Sequence, residues 1–231
     1  MSVHFKPVES KRLYQQIADQ IRELIEAGAF EVGSRLPAER DLAQQLGVSR
    51  PSLREALIAL DVEGSVEILG GSGVYVSALQ DRPAKRTESL GESPTELMQA
   101  RSVIEGDVVV LACAHMTDAD LRRLKDILDG MRAEIERRRV PVEFDRRFHM
   151  TLAEVAGNSV LARLVGELFD ERHSPISAKI SSRYESMRTW RAALKEHEAI
   201  HRALEARDPL TAQAAMRSHL KASEVRWVGG D

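Results

Sequence analysis

The stretch Gly33-Ser-Arg-Leu-Pro-Ala-Glu-Arg-Asp-Leu-Ala43, followed by Leu46-Gly-Val-Ser-Arg-Pro-Ser-Leu-Arg-Glu-Ala-Leu57, decides how the first third of the chain is read. Gly33 to Pro37 predicts a turn, Ala38 to Leu46 a short helix, Gly47-Val48 a tight corner, and Ser49 to Leu60 a second helix. Ser49 suits the N-cap of that helix, because its hydroxyl can accept from an amide of the first turn. Pro51 is tolerated there, since the amide it lacks would have no intrahelical partner. Leu42, Ala43, Leu46, Val48, Leu53, Ala56, Leu57 and Leu60 supply the apolar contact between the two helices.

Working outward, Leu13, Ile17, Ile21, Leu24 and Ile25 recur at helical spacing between Arg12 and Ala27, and Gly28 is a stop signal. On the other side, Val66-Glu67-Ile68 and Val74-Tyr75-Val76 flank Gly70-Gly71-Ser72-Gly73, a hairpin signature. Helix, helix–turn–helix and hairpin together predict a winged helix-turn-helix over residues 1–77. Residues 78–93 lose periodicity and gain polar and chain-breaking residues, which predicts a linker. Residues 94–228 predict an all-helical second domain, with helices near 95–115, 118–139, 142–156, 159–172, 182–207 and 209–226. The fold class is therefore mostly α: a winged helix with a small β-hairpin, then an all-α helical bundle.

With 231 residues, 43% hydrophobic and 30% charged, the chain can bury a substantial core. It has no run near the roughly 18 apolar residues that a membrane span requires, and its N-terminus lacks an apolar signal-peptide core. The expectation is a cytoplasmic protein with no membrane partner. The one cysteine, Cys113, lies among Leu111, Ala112 and Ala114 and reads as a buried, inert thiol. Net charge is −3, and residues 1–77 hold eight Lys and Arg against eleven Asp and Glu. Bulk charge thus argues against indiscriminate nucleic-acid binding, and any DNA contact must come from a local basic face.

A helix-turn-helix places its second helix in the major groove with its N-terminal residues on base edges. Arg50, Ser52 and Arg54 occupy that end, Ser49 can bond a base or phosphate, and Arg40 on the preceding helix suits a phosphate or base. The quoted stretch resembles the signature of the GntR family of bacterial transcription regulators. That resemblance implies operator binding through Arg40, Ser49, Arg50, Ser52 and Arg54, with the wing tip at Gly70 and Gly71 in the minor groove. Some relatives carry a basic side chain at that tip; here any wing contact would come from backbone amides. One such domain covers a half-site, so a homodimer on a palindromic double-stranded operator is the geometric expectation.

In the second domain, Asp145 and His149 are four apart and share one helix face, and carboxylate with imidazole suits a divalent metal. Read locally, they could equally be a solvated pair beside Arg146 and Arg147. His197 and His219 lie in the last two long helices, on or beside apolar stripes. Three helices directing one carboxylate and three imidazoles to a common centre would form a four-ligand set with positions left for an anion. The pattern Asp145-x-x-x-His149, Glu196-His197-x-x-Ile200 and Met216-x-x-His219 resembles the metal-binding form of the FadR C-terminal domain, FCD, covering about 95–226. That resemblance implies zinc, or nickel, manganese or iron, holding a small organic or sugar acid, with Arg101 completing the pocket. Arg101 and Glu105 could instead form a simple ion pair. Asn158 reads as a helix cap and Trp190 as core or pocket wall.

His197-Glu198-Ala199-Ile200-His201 also satisfies H-E-x-x-H, the zinc-hydrolase pattern. Five-residue patterns arise by chance in charged helices, and inward His197 leaves His201 one turn away, at the pocket's edge. No catalytic residue is therefore assigned. The expectation is a ligand-responsive, sequence-specific DNA-binding regulator that acts as a repressor and is not an enzyme.

Overall fold

The computed structural model describes residues 12–78 and 90–228, which fall into two compact units that divide between Ser93 and Pro94. Most of the predicted linker, residues 79–89, lies outside the described residues.

The first unit contains α1 (Leu13–Glu26), α2 (Glu39–Leu46), α3 (Arg50–Glu63), β1 (Val66–Leu69) and β2 (Gly73–Val76). In α1 the buried face is Tyr14, Ile17, Ala18 and Ile21, while Leu13 and Leu24 face solvent. The stripe is turned from the one that aliphatic spacing alone suggests: Tyr14 is buried, and its hydroxyl donates to the carbonyl of Gly91 (2.9 Å). Gly47 ends α2 in the left-handed conformation (φ 66°), which lets the chain reverse at once. Ser49 then caps α3, its hydroxyl accepting from the amide of Ser52 at 3.2 Å. Leu53, Ala56, Leu57 and Leu60 of α3 pack with Leu42 and Ala43 of α2 into a continuous apolar core. The two strands pair antiparallel with Val66 opposite Val76 and Leu69 opposite Gly73, so Val66, Val74 and Val76 face inward.

Leu90 to Ser93, read from sequence as linker, pack on this first unit. Arg12 donates to the Gly91 carbonyl at 3.0 Å and pairs with Glu92, and Ser93 donates to the buried Glu55 carboxylate of α3 at 2.8 Å.

The second unit is helical throughout its described length: α4 (Pro94–His115), α5 (Asp118–Glu136), α6 (Val142–Val155), α7 (Ser159–Asp170), a 3₁₀ turn (Glu171–His173), α8 (Pro175–Tyr184), α9 (Met187–Glu205) and α10 (Pro209–Val228). α4 packs chiefly on α10 and also against α6 and α7, while α9 packs on α5 and α10. Val108, Val109 and Ala112 of α4 meet Leu124, Leu128 and Met131 of α5, Phe148 and Leu152 of α6, Ile200 and Leu204 of α9, and Met216 and Leu220 of α10. Asn158 caps α7 as expected, and Thr117 caps α5. The predicted helix 182–207 is not one element, since α8 ends at Tyr184 and α9 starts after Ser186, whose hydroxyl accepts from the Thr189 amide. α8 itself escaped the sequence reading because its Ser-rich composition lowers helix propensity, although Ser174-Pro175 is an N-terminal signal.

Gly47→Ala is expected to destabilise the first unit by about 1–2 kcal/mol, the cost of a left-handed L-residue. An added Cβ meets nothing within 4 Å, so chemical denaturation reads backbone strain alone.

Candidate functional site

In the first unit, Arg40 on α2 is exposed, as are Ser49 and Arg50 at the N-terminal end of α3, and Ser52 is half-buried. The Ser49 and Ser52 hydroxyls are hydrogen-bonded to each other at 2.8 Å. Arg54 is held differently: its Nε and Nη2 both donate to Glu39 of α2, at 3.1 and 2.7 Å. It therefore braces α3 against α2 as well as standing on the presented face. Gly71 is exposed at the hairpin tip with φ +74°, a conformation that favours glycine. Sequence reasoning missed Arg35, which forms a bridge with Tyr75 and lays its guanidinium against Gly73, where a Cβ would come within 2.5 Å. A basic side chain thus stands at the side of the wing, although none stands at its tip.

In the second unit, Asp145 and His149 of α6, His197 of α9 and His219 of α10 are all buried and offer ligand atoms within 4.8 Å of one another. Among the described residues no other such group occurs. The one-turn spacing on α6 puts its pair on a single face, and Phe148 packs edge-on against His197 at 4.6 Å between ring centres. His197 Nε2 lies 3.2 Å from His149 Nε2 and 3.4 Å from Asp145 Oδ1, and His149 Nε2 lies 3.9 Å from the same oxygen. Four-coordinate ligands about 2.0–2.2 Å from a central ion stand roughly 3.4 Å apart, so the donor set fits a divalent cation.

Behind these donors stand carboxylates that sequence reasoning did not assign. Nδ1 of His149 donates to Glu105 of α4, and Nδ1 of His219 donates to Glu196 at 2.8 Å. Each bond places the proton on Nδ1 and turns the Nε2 lone pair toward the centre, as metal-bound histidines require. Each carboxylate is in turn held by an arginine: Arg101 Nε donates to Glu105 at 2.6 Å, and Arg226 donates to both oxygens of Glu196 at 2.6 and 2.8 Å. The Arg101–Glu105 pair is thus buried, not a surface bridge, and Arg101 also lies over the Phe169 ring at 5.0 Å. Glu105 could have been suspected from its place one turn after Arg101, and Glu196 from its adjacency to His197.

Burial pushes the Glu105 carboxyl up, but Arg101 and His149 outweigh it and hold its pKa at about 2. His197 falls well below the ordinary imidazole value, first through burial and then through neighbouring His219, His149 and Arg101. His219 is lowered by burial, against the opposing pull of Glu196. Both rings therefore stay neutral near neutral pH, the state in which imidazole binds a metal.

His201 does not join this centre. Its Nε2 meets the Leu121 carbonyl of α5 at 3.0 Å and its Nδ1 faces Glu205 at 3.4 Å, while Glu198 pairs with Arg132. The H-E-x-x-H pattern is one turn of helix whose second histidine is a structural tie.

A cavity of about 40 Å³ adjoins the cluster, lined by Arg101, Asp145 and His219 together with Arg172, Glu185, Trp190 and Trp227. It has room for a water molecule or two. A larger ligand enters only if rim side chains move.

Two outcomes follow from this geometry. His201→Ala should retain metal binding by calorimetry, His219→Ala should abolish it, and Glu105→Gln should weaken it by about 10–100-fold through the lost support of His149. The imidazoles of His197 and His219 titrate below their unfolded value of 6.5, so the unfolded chain takes up protons first. The melting temperature of the metal-free protein should therefore fall as pH drops below about 6.5, and saturating zinc should raise it least at the acid end.

Comparison with known proteins agrees with both units. Residues 13–76 match the model of the bacterial regulatory proteins of the gntR family, and residues 96–222 match the FCD domain. The Exu regulon transcriptional regulator of Escherichia coli K12 is 37% identical over 222 residues, covering 94% of this chain and 85% of that one. The Uxu operon regulator of Haemophilus influenzae is 31% identical, covering 93% and 82%, and the transcriptional repressor NanR of Klebsiella aerogenes is 30% identical, covering 98% and 89%. Among solved structures, E. coli McbR/YncC covers 92% of this chain and 95% of its own with a TM-score of 0.51 at 20% identity, a likeness of fold. These relatives are transcription regulators, not enzymes, which removes the hydrolase reading of His197–His201. The chain belongs to the GntR family of bacterial transcription regulators and carries the family's DNA-binding domain followed by an FCD domain.

Proposed function

We propose that this regulator is a repressor controlled by a small organic or sugar acid bound at a divalent metal in its second unit. Asp145, His149, His197 and His219 would hold the ion, zinc first and nickel, manganese or iron as alternatives, and the ion would supply a Lewis-acidic site for a carboxylate. Arg101 would bind the same carboxylate, since its Nη2 is buried with no hydrogen-bond partner. The observation that carries the reading is the convergence of four buried donor groups from three helices, two of their rings backed by carboxylates.

On the DNA side, α3 would enter the major groove with Arg50, Ser52 and Arg54, while Ser49 and Arg40 position it and Gly71 brings the wing backbone to the minor groove. A homodimer would present two copies to a palindromic operator. Repression is supported by one relative's description as a repressor. Effector control requires that the acid bind one dimer arrangement better than the other, and a coupling of about 1–3 kcal/mol changes operator occupancy about 5–150-fold.

The test is a thermal-shift screen of hydroxy acids, sugar acids and dicarboxylates, with and without zinc, followed by fluorescence anisotropy on operator DNA. An acid that raises the melting temperature only with metal, and then releases DNA, supports the reading; a screen with no metal-dependent shift overturns it. In the same assay Arg50→Ala should cost about 1–3 kcal/mol of discrimination between operator and mismatched sites. Arg54→Ala should lower both discrimination and the melting temperature, because it also removes the brace to Glu39.

A further inference from the structure

We propose that Arg35 is the cation of the wing: it takes a backbone phosphate beside the minor groove, a contact that the glycine-rich tip has no side chain to make. The inference rests on the reading above that the first unit binds DNA with its wing in the minor groove, and it names the residue that supplies the charge.

Residues 33–36 run along β2 as a short third strand of the wing. The Gly33 amide donates to the Val76 carbonyl at 2.8 Å, the Val76 amide to the Ser34 carbonyl at 2.9 Å, and the Leu36 amide to the Val74 carbonyl at 2.8 Å. Leu36, Val74 and Val76 are buried, so Arg35 and Tyr75, which pair across the two strands, share the outer face of the sheet. Glu67 of β1 pairs with Tyr75 from the other side, so the tyrosine separates that carboxylate from the arginine. The ladder fixes the backbone of Arg35, and Gly73 fixes its guanidinium: a Cβ on Gly73 would come within 2.5 Å of Nε. Gly73 also has a φ of +127°, so the slot depends on glycine twice over.

Arg35 is exposed, and among the described residues no carboxylate pairs with it. Its neighbours in the unit are spoken for: Arg12 has Glu92, Arg22 has Asp19 and Glu63, Arg40 has Asp41, and Arg54 has Glu39. Residues 1–77 hold three more acidic than basic side chains, so a preset cation without a partner is where this surface can draw an anion. The tip, Gly70-Gly71-Ser72-Gly73, has no long side chain to widen it, which suits a groove about 6 Å across. Arg35 lies behind that tip, at the side of the hairpin. A seated tip therefore sets the guanidinium against the wall of the groove, where the phosphates are, and away from the base edges. Such a contact fixes the register of the wing without reading sequence.

The experiment uses the full-length chain and a duplex that the wild-type protein selects from a random-sequence library, with affinity measured by fluorescence anisotropy over a series of KCl concentrations. Each phosphate contact contributes about 0.9 to the slope of log affinity against log salt. Arg35→Gln should lower that slope by about 0.9 and weaken binding about 5–10-fold at about 0.1 M salt, while the ranking of single-base variants of the duplex stays as in the wild type. Arg35→Lys, which keeps the charge, should restore most of the slope. Arg50→Ala, in contrast, should disturb the ranking. A folded Arg35→Gln protein with the wild-type slope overturns the inference. A loss confined to particular base pairs overturns it too, because the guanidinium would then be on base edges. So does an Arg35→Lys protein that loses as much as Arg35→Gln, because the side chain would then serve packing against Gly73 alone. In each of these cases the DNA-binding reading stands as long as Arg50→Ala disturbs the ranking. If the wild-type protein selects no duplex, that reading fails and this inference falls with it.

Discussion

Three imidazoles and an aspartate packed into the interior of a helical bundle are the constraint around which the second unit is built. Groups of this kind are expensive to bury, and the fold meets that expense with two relays that run outward from the cluster. Arg101 holds Glu105, which holds His149; Arg226 holds Glu196, which holds His219. The first relay ties α4 to α6 and the second ties α9 to α10. Removing one member would leave a buried charge uncompensated, which is why such networks act as a unit. The packing of Phe148, Ile200 and Met216 then fixes the helices at the separation that the relays need.

The junction between the two units falls at the start of the helix that carries the first relay. α4 carries both Arg101 and Glu105 and begins at Pro94, directly after Ser93. Leu90 to Ser93 are sewn to the DNA-binding unit through Arg12, Tyr14 and Glu55, the last on the recognition helix itself.

The DNA-binding unit was legible because its determinants are local. A left-handed glycine at the corner, a serine cap, a proline in the first turn and a glycine-rich hairpin are each written within a few residues of where they act. The one misjudged face, on α1, turned on Tyr14, whose partner Gly91 lies far along the chain. The metal quartet was legible for a mixed reason. Asp145 and His149 are a local pair, but joining His197 and His219 to them required either the fold or the family resemblance.

What the sequence by itself determined is the helix-turn-helix with its presented arginines and the one-turn pair Asp145 and His149, which follow from periodicity, capping and spacing, while His197 and His219 joined that pair through the family resemblance. Only the tertiary structure decided that Glu105, Glu196 and Arg226 stand behind those ligands, that His201 is spent on Leu121, that Arg54 braces α2, and that Arg172 is clamped by Glu185 beside two tryptophans. The physical reason is that helical spacing places residues on a face, whereas hydrogen-bond partners and the charge balance of a cavity depend on which faces are packed together.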